Sequence, residues 1–170
     1  MAHLVLTLVG DDRAGLVNAL ADSIASHGGN WERSELAELG GAFAGVVLVS
    51  VPEERAADLV RSLEQLDGML RITVHGAAAD APAMDAGRAL EVTVLGNDRP
   101  GIVRDVTAAI RRHALSIDGM RTRTLDAPMS GGILFEAHVT VRVPRQGDPT
   151  GLREELERLA GEIQVDVTVA

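Results

Sequence analysis

The chain repeats itself. Residues Gly10 to Val17 read GDDRAGLV and residues Gly96 to Val103 read GNDRPGIV, each following one apolar run and preceding another. A shift of 86 residues, which carries Leu4 to Leu90, pairs Gly10 with Gly96, Asp12 with Asp98, Arg13 with Arg99, Gly15 with Gly101 and Val17 with Val103. The register continues through Leu20 and Val106, Ile24 and Ile110, and His27 and His113, so the likeness covers a helix and not only a loop. Near the ends of the halves, LEQLDGMLRITV (Leu63 to Val74) resembles LERLAGEIQVDV (Leu156 to Val167) at a shift of 93. The seven extra residues of the second half, the difference between 93 and 86, are expected in loops around LDAPMSGG and PRQGDPTG. Closure entropy there grows slowly with length.

Each half runs through one succession of patterns. LVLTLV is a strand, and Ala14 to His27 is expected as a helix with Leu16, Val17, Leu20 and Ile24 at helical spacing, ended by GGN. WERSELAEL and AFAGVVLVSV then form a hairpin about Gly40 and Gly41. Glu53 to Leu66 is a second helix that turns Ala56, Leu59, Val60, Leu63 and Leu66 inward, and MLRITV alternates as a closing strand. The second half repeats this with LEVTVLG, a helix from Pro100 to His113, SIDGMRTRTL, GILFEAHVTVRV, a helix near Pro149 to Gly161, and IQVDVTV. The order βαββαβ, written twice, is the ferredoxin-like arrangement, an α+β fold in which both helices cover one face of a four-stranded antiparallel sheet. The expected organisation is a first domain at residues 1–76, an Ala, Gly, Pro and Asp-rich linker at 77–89, and a second domain at 90–170. Open sheet faces and exposed edges are costly for one small unit, so the halves are expected to associate, edge to edge or face to face.

Composition narrows the function. A net charge of −9 disfavours a phosphate backbone as direct partner, because nucleic-acid affinity draws on clustered cations. The 16 basic residues are all arginine, and lysine, tyrosine and cysteine are absent, which removes three common catalytic side chains, disulfides and thiolate metal sites. No run approaches a membrane span and the N-terminus lacks a basic segment ahead of its apolar stretch, so a soluble, unexported, cytoplasmic protein is expected.

The duplicated phrase suits a strand-to-helix junction. Gly10 and Gly96 allow a backbone path that side chains would obstruct, Asp12 and Asp98 are expected as helix N-caps, and Pro100 is expected in a first turn that does not need its N–H. Gly15 and Gly101 remove a side chain at the helix start, whose amides favour a carboxylate or phosphate, while Asp98 or the Asn97 amide could hold an ammonium. A sound corner without any ligand needs the same residues, so chemistry alone leaves the two readings level.

Other candidates are weaker. His3, His27, His75, His113 and His138 show no ligand spacing, and no metal or cofactor is expected. His27 and His113 each close a helix, where the dipole favours an imidazolium. Trp31 reads as core before interface anchor, REELERLAGE as a solvated helix face, and Arg121 with Arg123 as a wet sheet face before an anion grip. Neither G-x-S-x-G nor a P-loop occurs.

With the βαββαβ order, GDDRAGLV and GNDRPGIV resemble the D-R-P-G loop of ACT domains, small regulatory modules that bind amino acids, and the likeness spans nearly the whole chain as two such domains. SELAELGGAFAGVVLVSVP further resembles the glycine cleavage system transcriptional repressor family, whose members are two such domains and little else. The resemblance implies a ligand between domains, lined by Asp12, Gly15 and Leu16 at one site and by Asp98, Pro100, Gly101 and Ile102 at the other, to which the residues themselves add Asn97. Aspartate stands in both copies where amino-acid-binding ACT domains often carry asparagine, which repels a ligand carboxylate and welcomes its ammonium; Ala14 replaces the proline of the first copy. The implied function is non-catalytic: a small amino acid, glycine or serine being the candidates, alters affinity for a protein partner such as a transcription factor, in a homodimer. The alternatives are a ligand-free structural or dimerising module and, behind it, an enzyme using Asp, Glu or His.

Overall fold

The computed structural model describes residues 1–77, 87–127, 132–144, 150–163 and 165–169. The chain divides into two compact units, residues 1–81 and 82–170. The middle of the expected linker (78–86) and the expected insertion sites at 128–131 and 145–149 lie outside the described residues.

The first unit runs β1 (Ala2–Asp11), α1 (Leu16–Ser26), β2 (Asn30–Leu39), β3 (Ala42–Val51), a 3-10 turn (Glu53–Arg55), α2 (Ala56–Glu64) and β4 (Arg71–Ala77). Its sheet has the order β2-β3-β1-β4, with every neighbour antiparallel. The second unit runs β5 (Arg88–Asn97), α3 (Ile102–Arg112), β6 (Ser116–Asp126), β7 (Ile133–Val143), α4 (Thr150–Ile163) and β8 (Val165–Val169), in the order β6-β7-β5-β8. Two βαββαβ units with antiparallel sheets, the expected ferredoxin-like fold, are therefore present.

Strand alternation decides which face is buried. Leu4, Leu6 and Leu8 of β1 and Val47, Val49 and Val51 of β3 point to one side, where Leu16, Leu20 and Ile24 of α1 and Leu59 and Leu63 of α2 meet them. The second core repeats the plan with Leu90, Val92 and Val94, Val139, Val141 and Val143, Ile102, Val106 and Ile110, and Leu152 and Leu156. Trp31 packs half-buried against the first core, in agreement with its reading as a core residue. Each unit thus has one greasy layer between helices and sheet and a second sheet face left free of its own helices.

Those second faces differ. Between β1 and β3 the first unit presents Val5, Thr7, Val46 and Leu48, where the register of the second unit presents Glu91, Thr93, His138 and Thr140. There Arg123 is paired with Glu136, His138 Nε2 lies 3.6 Å from Glu136, and Thr140 donates to Glu91 at 3.2 Å. Arg123 is thus already committed to a carboxylate on its own face, which supports the wet-face reading over an anion grip.

Both copies also carry a bulge in the strand after the first helix, between Trp31 and Arg33 in β2 and between Ile117 and Gly119 in β6. The extra residue is acidic each time. Glu32 lies 3.5 Å from His3, and Asp118 accepts from Arg142 Nε at 2.8 Å. A bulge re-aims one side chain out of the alternation, here to put a carboxylate against a neighbouring strand.

The C-terminal ends of α1 and α3 expose a departure from the repeat. His27 caps α1, Gly28 follows at φ 70°, and the Gly28 and Gly29 amides donate to Ala25 and Ile24 at 2.9 and 3.0 Å, closing the helix with a Schellman pair. His113 caps α3 in the same way, but the next residue is Ala114, at φ 54°. A left-handed residue with a Cβ costs roughly 1–2 kcal/mol, partly offset in glycine by its greater freedom when unfolded. Ala114→Gly is therefore expected to stabilise the second unit by about 0.5–1 kcal/mol in denaturant unfolding. Gly28→Ala, whose new Cβ would meet only Pro52 at 3.8 Å, is expected to cost the first unit about 1 kcal/mol. Two changes of the same sign would contradict this account.

Candidate functional site

Each corner begins where β1 or β5 runs out. Asp11 and Asn97 are the last strand residues, paired with Ala42 and Leu134, and the next amides still hold to the sheet: Asp12 N–H donates to Gly41 at 2.9 Å and Asp98 N–H to Ile133 at 2.8 Å. The chain then leaves the sheet, turns over three residues and enters the helix. At Gly10 the expected obstruction is real, since a Cβ there would strike the Met69 carbonyl.

The helices start later than the sequence pattern suggests. Neither Asp12 nor Asp98 is an N-cap: that position belongs to Gly15 and Gly101, both at φ 93°, ψ −3°, and neither helix has a side-chain cap. Ala14 and Pro100 precede the caps, so Pro100 shapes the turn and does not occupy the first helical turn. The physical reason is the left-handed glycine. It redirects the backbone so sharply that an aspartate three residues earlier cannot reach the helix amides, and Ala19 and Asp105 N–H make the first helical bonds, to Gly15 and Gly101, at 2.9 Å.

The expected ligand residues accordingly divide. Leu16 and Ile102 are buried, at 3% and 2% exposure, and belong to their cores; only their backbone faces the corner. Asp12, Asn97, Asp98 and Pro100 are exposed. Val17 and Val103, one residue into each helix, are apolar yet 44% and 40% exposed, which adds a hydrophobic contact to a polar turn.

The two corners are not alike. A Cβ placed on Gly15 would meet nothing among the described residues within 4 Å, and Arg13 turns away to pair with exposed Asp11 at 3.1 Å. On Gly101 a Cβ would lie 3.2 Å from the Arg104 guanidinium and 3.8 Å from Arg99 Nη1. Arg99 donates to the Pro100 carbonyl at 3.2 Å and to Asp105 Oδ2 at 2.8 Å, while Arg104 Nε donates to Asp105 Oδ1 at 3.1 Å. Arg99 and Arg104 hold the Asp105 carboxyl below its ordinary value. At the equivalent positions the first copy has Asn18 and Ala19, and Asn18 donates instead to Asp22 at 2.8 Å. Arg104 and Asp105 lie beyond the loop motif; their signal in the sequence is the change from Ala19 to Asp105 inside the repeat.

At the far end of α3, Glu155 of α4 takes hydrogen bonds from Arg112 and from His113 Nε2, the latter at 2.8 Å, and these partners lower its pKa. In the first unit the matching contact is uncharged, Ser23 to Ser62 at 2.9 Å, and His27 Nδ1 donates to the Ser23 carbonyl at 2.8 Å. Both histidines thus close their helices as expected. Among the described residues no group of three or more His, Cys, Asp or Glu could hold a metal ion, and no helix is long and apolar enough to cross a membrane.

Duplicated ferredoxin-like units, each with a loop that delivers a glycine-started helix to the end of the central strand, define the class of small paired-module proteins. Residues 2–76 and residues 90–161 each match a family model described as ACT domain. The chain belongs to the ACT-domain family, as a tandem pair. It is 28% identical over 171 residues to the glycine cleavage system transcriptional repressor of Escherichia coli (strain K12), covering 98% of this chain and 88% of that protein, and equally to that of Shigella flexneri. A crystal structure of an unknown protein from Galdieria sulphuraria shares 31% identity at a TM-score of 0.85, covering 99% of this chain and 96% of that one. A second solved chain, provisionally described as a glycine cleavage system transcriptional repressor, shares the fold at a TM-score of 0.74 and 22% identity, over 99% and 96% of the two chains.

The lowered carboxyls set the acid side of stability. Asp105, Glu136 and Glu155 all sit below their ordinary values in the folded chain, held by Arg99, Arg123 and Arg112 respectively. On acidification the unfolded chain therefore takes up protons first. The stability these groups contribute is complete above the unfolded carboxyl values and is lost as pH falls through the folded ones. The thermal midpoint is expected to fall between about pH 5 and about pH 3, and Glu155→Gln to flatten part of that fall. An equally steep profile in the variant would show that the Arg112 and His113 contacts contribute nothing.

Proposed function

We propose that this chain is a non-catalytic cytoplasmic regulator whose first corner binds a small amino acid, glycine or serine. What supports the reading is the uncapped start of α1: no side chain caps it, the space beside Gly15 is open among the described residues, and Asp12, three residues earlier in the same turn, is exposed. A ligand carboxylate suits the amides of the first turn, where the helix dipole adds to their pull. Its ammonium suits Asp12. An amino acid carries both charges a short distance apart, which neither a lone anion nor a lone cation does.

Binding regulates only if the ligand favours one arrangement of the protein over another, and such couplings are commonly about 1–3 kcal/mol. Similarity to a glycine cleavage system transcriptional repressor supports a regulatory role in transcription, and the net charge of −9 favours a protein partner, such as a transcription factor, over direct nucleic-acid binding. A homodimer is the proposed state. The reading of a ligand-free structural module gains support at the second corner alone, where Arg99 and Arg104 crowd Gly101.

The test is calorimetry of the full chain against each of the twenty amino acids. One or a few small ones are expected to release heat, and Asp12→Ala to weaken them about tenfold, the order lost with one charged hydrogen bond. No heat from any of the twenty would remove the proposal, and full affinity in Asp12→Ala would remove Asp12 from it.

A further inference from the structure

Duplication gave the chain two corners with the same backbone: both glycines have φ 93° and ψ −3°, and both first helical bonds measure 2.9 Å. What separates them is two charged side chains on α3, Arg104 and Asp105, where α1 has Asn18 and Ala19. In the second unit Asp105 joins two arginines on one carboxylate, Arg99 to Oδ2 and Arg104 to Oδ1, and the pair of guanidiniums comes to rest against Gly101. The Arg99 side chain is 35% exposed and that of Asp105 23%, whereas their counterpart Arg13 is 62% exposed and its partner Asp11 82%. In the first unit the position of Asp105 is Ala19, so Arg13 has no anchor on the helix and swings outward.

We propose that Asp105 decides which of the two corners is available: by clamping Arg99 and Arg104 over Gly101 it shuts the second, leaving one receptive corner per chain, at Gly15. The clamp itself stands on the side-chain geometry alone; the statement that the open corner takes an amino acid rests on the function proposed above. A ligand approaching the second helix start meets two guanidiniums that Asp105 holds against Gly101, and must push them aside to reach the helix amides. Charge-assisted pairs of this kind are among the stronger polar contacts, and two on one acid hold each other in place. The first corner presents no such competitor, because neither Asn18 nor Ala19 reaches back over Gly15.

Two readouts keep the clamp and the ligand separate. The first is the rate at which phenylglyoxal modifies each arginine of the full-length protein, followed by peptide mass spectrometry. Arg13 is expected to react several times faster than Arg99, and Asp105→Ala to bring Arg99 up to the rate of Arg13 while leaving Arg13 itself unchanged. Equal rates in the unaltered chain, or no acceleration in a variant whose thermal unfolding confirms that it is folded, would overturn the clamp. The second is the calorimetric stoichiometry with glycine and with serine, expected to be one per chain and to rise to two in Asp105→Ala. Two per chain before substitution would overturn the proposal, since the second corner would then be open despite the clamp. With the reactivity difference present and no heat from either amino acid, the ligand reading would fail while the clamp stood.

Discussion

Both units depend on one backbone constraint, the left-handed glycine that ends the turn after the central strand. The chain leaves β1 or β5 at the last paired residue and must lay a helix back across that strand within a few residues. At φ 93°, a conformation that side chains resist, Gly15 and Gly101 accomplish this reversal. Everything downstream follows in order. Leu16 and Ile102 drop at once into the core, α1 and α3 cover the sheet, and the strand that follows returns along its edge. Because the cap residue is glycine, no side chain is there to satisfy the first-turn amides. The feature that makes the fold possible is thus the feature that leaves the corner chemically unfinished.

Identical scaffolds then diverge by side chain alone. On the sheet faces away from the helices, Val5, Val46 and Leu48 of the first unit are matched by Glu91, His138 and Thr140 of the second. Between helices, a pair of serines in one unit is matched by a His113–Glu155 contact in the other. At the corners, Ala19 is matched by Asp105. In each case the first unit keeps the less polar or uncharged residue, and the second builds a network of polar and ion-pair contacts. Exposed pairs of this kind add little to stability in water. Their consequence is local order and the removal of groups from availability, as at Gly101.

The architecture was legible in the sequence because burial has only two periods. Alternation fixed Leu4, Leu6 and Leu8 on one face, helical spacing fixed Leu16, Leu20 and Ile24, and the Gly40–Gly41 pair, at φ 61° and 84°, marked the hairpin. The helix starts were misplaced by about two residues, since Asp12 and Asp98 carry the composition of a cap and a left-handed glycine cap has no side-chain signature to set against it. The acidic bulges at Glu32 and Asp118 were invisible because a bulge is set by pairing between strands, which a single strand does not record. The inequality of the corners was missed for a related reason: Arg99 and Asp105 are six residues apart in the chain and meet only once the turn is formed.

The account turns on whether the first-turn amides of α1 are the groups that meet the ligand. The direct measurement is a titration of the uniformly 15N-labelled chain with glycine and with serine, read as amide chemical-shift changes. The account predicts that Leu16, Val17 and Asn18 move most, together with Asp12, while Ile102, Val103 and Arg104 stay in place. Movement centred on the second corner, or none at the first, would contradict it.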